Sequence, residues 1–218
     1  MHRFGIVALA LVLMGAPSAA RAAGPTADFT GAFLGLQTGY GFGSAGDWCF
    51  CSVVPVATDA AGGEGGAIAG VEAGYDWRLG IFVAELGARL SYADLAFSEL
   101  CTGGLHCDGQ LTWLGEAQIG AGIVLGDTLL AASAGLAAGT VYADVGSSPE
   151  SSDMHSGVVY GVRVEQGLSD HWRFGIEYRF YEMEGTNNIE SGATVAPVDI
   201  AWTSQVLGLV IRYEVGAK

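Results

Sequence analysis

Basic residues are scarce in this sequence: nine Lys and Arg stand against 23 Asp and Glu, the formal net charge is -14, and the only lysine is Lys218. That balance excludes nucleic acid as a partner, because binding it needs basic patches that neutralise phosphates. Also missing is an apolar run long enough to cross a membrane as a helix, which takes roughly 20 residues. The longest, Phe4 to Met14, falls well short. Proline is sparse too, and no Pro-rich linker or charge block marks a second domain. What the chain has instead is 35 Gly in a composition that is half hydrophobic. So much glycine argues against long helices, and so much hydrophobicity argues against disorder. Alternating strands remain.

The N-terminus pairs His2 and Arg3 with the Phe4 to Met14 run and ends in the small-x-small site Ala20-Arg21-Ala22. This pattern predicts a secretory signal peptide over 1–22 and one mature domain over 23–218. All four cysteines fall in the exported part, which points to an oxidising compartment and to disulfides.

From Thr30 onward, Leu34, Leu36, Tyr40 and Phe42 occupy even positions, while the odd positions are mostly glycine. The same period recurs. Val71, Tyr75 and Trp77 oppose Glu72 and Asp76; Phe82, Leu86, Leu90 and Tyr92 oppose Glu85 and Arg89; Trp113, Ile119 and Ile123 oppose Glu116 and Gln118. An Ala-rich stretch, Thr128 to Tyr142, follows. Val158 to Val164 then carries Arg163, with Glu165 just beyond; Phe174 to Phe180 carries Glu177 and Arg179; and Thr203 to Val215 carries Leu207, Leu209, Ile211 and Tyr213 on one side. About eight strands result, each near the roughly ten residues that a tilted strand needs to cross a bilayer.

Tight connections at Asp76 to Gly80, Gly126-Asp127 and Ser169 to His171 alternate with long ones at Ala45 to Gly65, Asp94 to Gly109, Asp144 to His155 and Glu182 to Asp199. On an up-and-down path the apolar-face aromatics gather at two levels. Tyr40, Phe42, Tyr92, Trp113, Tyr142, Tyr160 and Phe180 form an outer girdle; Tyr75, Trp77, Phe82, Phe174 and Tyr213 form an inner one. The expected fold is an all-β, eight-stranded antiparallel up-and-down transmembrane β-barrel with short periplasmic turns and long extracellular loops. A soluble barrel with its apolar face inward is the competing architecture. It would show a Lys- and Thr-rich outer face, and it gives the aromatics no reason to collect at strand ends.

In the transmembrane arrangement Glu72, Glu85, Arg89, Glu116, Arg163, Glu165, Glu177 and Arg179 share the lumen. Buried charges persist when paired, so these residues are expected to form an Arg and Glu network that fills the barrel. The alternative is a charged constriction that selects ions. An eight-stranded barrel is just wide enough for side chains to fill.

Cys49 and Cys51 lie in the first long connection and Cys101 and Cys107 in the second. Two residues is a poor separation for a direct bond, so pairing across the two connections is expected, with the partners left open. Cys49, Cys51, Cys107 and His106 also have the chemistry of a zinc site, a reading ranked below disulfides; no cofactor is expected. Gly41 to Gly46 matches a dinucleotide-binding pattern, but no helix follows it. His155-Ser156 is the one hint of a lipid-modifying hydrolase, without a recognisable orienting carboxylate or oxyanion pocket.

The stretch Tyr160 to Phe180, with its Ser169-Asp170-His171-Trp172 turn and Glu177-Tyr178-Arg179 strand, resembles the sixth and seventh strands of the small porin-family barrels of bacterial outer membranes. Phe29 to Gly35 with Gly39-Tyr40-Gly41 is similar to their first strand, and Leu207 to Tyr213 to their last. Glu214 to Lys218 then departs from the family's usual terminal aromatic. The resemblance implies a bacterial outer-membrane protein, akin to the transmembrane barrel of OmpA, that acts as a surface antigen or envelope-stabilising barrel without enzymatic activity. A narrow porin-like channel is the first alternative and a lipid-modifying enzyme the second. Expected partners are outer-membrane lipid and lipopolysaccharide, the barrel-assembly machinery, and an external ligand at the acidic loops.

Overall fold

The period-two pattern folds into eight strands: β1 (Gly31–Cys49), β2 (Gly65–Leu79), β3 (Phe82–Leu100), β4 (His106–Leu125), β5 (Thr128–Val145), β6 (Ser151–Gly167), β7 (Trp172–Ser191) and β8 (Thr194–Val215). The computed structural model describes residues 27–49, 65–100, 106–145, 150–191 and 194–215. The expected signal peptide, Cys51 and Cys101 lie outside them. Each strand pairs antiparallel with its sequence neighbour, and β1 pairs with β8 to close the barrel. Closure leaves no sheet edge to face lipid, where an unpaired backbone group is costly.

Three tight connections share one end. Gly80 and Gly126 adopt φ of 69° and 67° at the β2–β3 and β4–β5 turns, a left-handed conformation that glycine takes without penalty. At the β6–β7 turn, the Ser169 hydroxyl oxygen accepts the amides of His171 (3.4 Å) and Trp172 (3.2 Å).

At the other end the strands run on. Three of the long loops are largely strand: β3 continues to Leu100 before β4 starts at His106, β5 reaches Val145 before β6 starts at Ser151, and β7 reaches Ser191 before β8 starts at Thr194. The first strand likewise extends to Cys49. Strands of 15 to 22 residues, at about 3.3 Å per residue and tilted about 40°, span on the order of 40–55 Å, far more than the roughly 25 Å apolar band. Half of the barrel therefore stands clear of lipid.

The aromatics mark where that band lies. Tyr40, Phe42, Tyr92, Trp113 and Tyr160 are exposed at one level, with Phe180 on the same outer face. Tyr75, Trp77, Phe82, Phe174 and Tyr213 form the second ring, joined by Trp172. Ring contacts knit each level: Tyr92 to Trp113 at 5.5 Å above, Tyr75 to Trp77 at 4.8 Å and Trp172 to Tyr213 at 5.0 Å below. Tyr142 stands higher than the rest, opposite Gln110 and in a groove that Asp108 and Asp144 also line.

Between the rings the outward side chains are apolar and exposed, among them Leu86, Leu90, Ile119, Ile176 and Leu209. Above the upper ring the polarity reverses. Leu95, Leu111, Val141, Met183, Ile189, Val198, Ile200 and Trp202 turn inward to form an apolar core, while Asp94, Asp108, Glu182, Glu184 and Asp199 face out. Register shifts at Tyr92/Leu95 and Leu111/Trp113 fall at this boundary. In β4 the extra residue is Thr112, which lets Leu111 turn inward two positions before the outward Trp113.

Leu86 lies midway between Phe82 and Tyr92 and is 53% exposed. Leu86→Arg is expected to lower stability in bilayers by about 2–4 kcal/mol, the cost of a midplane cation on the lipid face. Asp94→Arg, above the ring, should change it by less than about 0.5 kcal/mol. Denaturant titration of both variants reconstituted in vesicles checks the difference.

Candidate functional site

Inward-facing charges on six of the strands converge inside the lipid-spanning part of the barrel. Five arginines (Arg89, Arg163, Arg173, Arg179 and Arg212) and seven acids (Glu72, Asp76, Glu85, Glu116, Glu165, Glu177 and Glu214) are all buried there. Register brings the first pairs together: Arg89 of β3 lies beside Glu72 of β2 on one side and Glu116 of β4 on the other. Arg89 donates to Glu72 Oε2 at 2.7 Å and, across the lumen, to Glu177 Oε1 and Oε2 of β7 at 2.5 and 2.9 Å, with Gln37 Oε1 as a further acceptor.

Arg212 of β8 forms the second hub. It donates through Nε to Glu72 Oε1 at 2.5 Å and through a terminal nitrogen to Glu85 Oε2 at 2.7 Å, and lies 3.1 Å from Glu165. Glu72 and Arg212 are two strands apart, and Gly35 of β1 is the partner of both. A Cβ at Gly35 would sit 2.7 Å from Glu72 Cγ, so the absent side chain is what lets the pair meet.

Arg163 binds Glu85 through both terminal nitrogens and lies 2.7 Å from Glu165. Arg179 binds Glu116, donates to Gln118 Oε1 at 2.9 Å and to the Tyr181 hydroxyl at 3.1 Å, and that hydroxyl donates to Glu116 Oε1 at 2.9 Å. Arg173, nearest the tight-turn end, donates to Asp76 Oδ2 at 2.8 Å and lies 3.2 and 3.3 Å from Glu165 and Glu214. Phe33 packs beneath two of these groups, its ring centroid 4.2 Å from the Arg212 guanidinium and 5.6 Å from that of Arg173.

Apolar layers bound the network at both ends. Below it Ala27 and Phe29 cross the barrel mouth and pack with Val83, Val124 and Leu129; above it lies the Leu111 and Trp202 core. Among the described residues the interior is thus filled with side chains at three successive levels. This arrangement gives every lumen arginine a carboxylate partner and ties six strands together.

Sequence and structure also agree at the level of family. The family model described as the outer membrane protein beta-barrel domain matches residues 6–197. The chain belongs to this family. Similar folds are the outer membrane protein OprG from Pseudomonas aeruginosa (TM-score 0.50, 11% identity, 85% of this chain and 98% of that one) and the outer membrane protease OmpT from Escherichia coli (TM-score 0.55, 6% identity, 88% and 99%). Neisserial surface protein A aligns over 85% of this chain and 98% of its own at 15% identity and a TM-score of 0.46. At such identities the likeness is one of fold. No curated protein sequence matches the chain.

All eight charges expected in the lumen are there. Asp76, which the alternation already sets on the face of Glu72, joins them, as do Arg173, Arg212 and Glu214, which the sequence reading does not include and which alternate with the outward Trp172, Ile211 and Tyr213. His155 and Ser156 do not form a catalytic pair. Consecutive strand residues point to opposite faces, so His155 is fully buried in the interior and Ser156 is exposed outside. Cys107 faces inward and is disulfide-bonded; the side chains of Cys49 and His106 lie outside the described residues. Among the described residues no three metal-ligating side chains gather. The dinucleotide-like Gly41 to Gly46 lies within β1.

Removing one member of a buried ion pair strands the other, at a cost of about 3–5 kcal/mol. Arg89→Met is expected to destabilise the barrel by this amount, and Arg89→Met with Glu177→Met to recover a substantial part of it. Urea unfolding of the single and double variants, compared as a thermodynamic cycle, measures the coupling.

Proposed function

We propose that this outer-membrane barrel is a structural and surface-presenting protein without enzymatic activity and without an open pore. The observation that carries this reading is the filled interior: a Phe29 and Leu129 layer, then paired arginines and carboxylates, then a Leu111 and Trp202 core. A conducting path needs a continuous column of water, and each of these layers interrupts one. The reading without catalysis is supported by the opposite orientation of His155 and Ser156.

The end with the tight turns faces the periplasm in this reading and the extended end faces the exterior, as is usual in such barrels. Charge supports the assignment. Among the described residues the Lys and Arg are Arg78 and the five lumen arginines, and none of them falls beyond the upper aromatic ring. The described part of the outer extension therefore presents acidic side chains such as Asp94, Asp108, Glu182, Glu184 and Asp199, suited to an external ligand with basic groups. The apolar belt is in contact with outer-membrane lipid and lipopolysaccharide, and insertion is the task of the barrel-assembly machinery.

Planar-bilayer recording of the purified protein tests this reading. No unitary steps are expected from wild type in the presence of symmetric salt. Steady, reproducible open-channel steps would overturn the filled-lumen account and favour a narrow pore.

A further inference from the structure

Along its upper part the β6–β7 seam of the barrel is not held by backbone pairing among the described residues. The β6–β7 ladder ends at Ser156↔Glu184, whereas β5–β6 continues up to Ala143↔Ser151 and β7–β8 up to Ser191↔Thr194. Two hairpins thus rise side by side above the last shared rung. The next rung would join His155 to Gly185. There the imidazole lies against Gly185, where a Cβ would meet its Cδ2 at 2.5 Å.

Beyond that rung, side chains replace the ladder. Asn187 Nδ2 donates to Ser151 Oγ at 3.0 Å and to Val141 O at 3.3 Å. That fixes the amide orientation and leaves Asn187 Oδ1 facing His155 Nε2 at 2.6 Å. The Asn188 amide donates to Asp153 Oδ2 at 3.0 Å. Because Oδ1 is an acceptor, Nε2 carries the proton. His155 Nδ1 is buried with no hydrogen-bond partner among the described residues.

We propose that this seam is a pH-operated latch: neutral His155, seated on Gly185 and bonded to Asn187, holds the two hairpins together, and its protonation releases them. Protonation would add an N–H at Nδ1, which faces no acceptor, and a charge beside the Val141 and Ile189 core. Asp153, on the same strand, is the charged group that acts on the ring. The neighbouring strands present Gly185 and Asn187 from β7 and Gly139 and Val141 from β5, none of which titrates.

His155 lies five residues beyond Tyr160 of the upper ring, about 13 Å along the barrel axis, and so outside lipid. Burial holds its pKa below the ordinary 6.5, against the opposing effects of the Asn187 bond and the Asp153 charge. The closed seam therefore binds the proton less readily than the open one. Closure is at full strength above about pH 6.5 and weakens as pH falls below it.

Amide hydrogen exchange in micelles at pH 7.5 and 5.0, corrected for intrinsic rates, tests the latch. Opening at residues 151–155 and 185–190 is expected to increase by between about 3-fold and 30-fold at pH 5.0, the upper figure being the limit for an ordinary imidazole in the open state. His155→Gln, which keeps a donor for Asn187 and does not titrate, should abolish the increase; Asp153→Asn should retain it. Exchange that is unchanged with pH, or an increase that persists in His155→Gln, would overturn the proposal. So would an NMR titration of the wild-type protein in which the His155 ring protonates at or above 6.5, and that measurement requires no variant to fold.

Discussion

The membrane-spanning half of this barrel encloses its charges within a closed wall. Lipid lies outside and packed side chains lie inside, so every charge that enters must find its counter-charge within the lumen. Five arginines meet seven acids there, and they do so as hubs rather than as isolated pairs: Arg212 alone touches Glu72, Glu85 and Glu165. Glycine makes the hubs geometrically possible. At Gly35 and Gly175 a side chain would occupy the space taken by Glu72 and Glu165, so small residues on one strand let charges on its two neighbours meet.

Above the upper aromatic ring the solvent changes, and the strand obeys the new solvent without ending. Outward residues become acidic and inward ones apolar, which is the polarity of a water-soluble barrel. One continuous set of strands thus carries two opposite faces, and the register shifts at Tyr92/Leu95 and Leu111/Trp113 mark the change. The extension also carries the upper β6–β7 seam, where side chains take over from the ladder, which is the kind of site where local opening costs least.

Much of this was legible from period two. The strand count, the turn end, the aromatic rings and the first eight lumen charges follow from the alternation of large apolar residues with glycine or charge. Parity would also have supplied Arg212 and Glu214, which alternate with Ile211 and Tyr213. The outer extension was hidden for a physical reason. Around Val198, Ile200 and Trp202 the apolar positions switch to the inner face, so a template with apolar residues outside reads them as loop. In β4 the extra residue at Thr112 shifts the phase, and a single-residue insertion of this kind leaves no compositional trace. The His155 and Asn187 link has no sequence signal either, because it depends on the height at which two ladders part.

The most direct test of the two-solvent strand is an accessibility scan with nitroxide labels along β3, from Phe82 to Ser98, in lipid bilayers. Labels at 82, 84, 86, 88, 90 and 92 should collide with oxygen dissolved in lipid, those at 85, 87 and 89 should be shielded, and beyond the ring 94 should meet the aqueous reagent while 95 is shielded from both. A lipid-accessible label at 95, or oxygen reaching 89 while missing 86, would contradict the reversal.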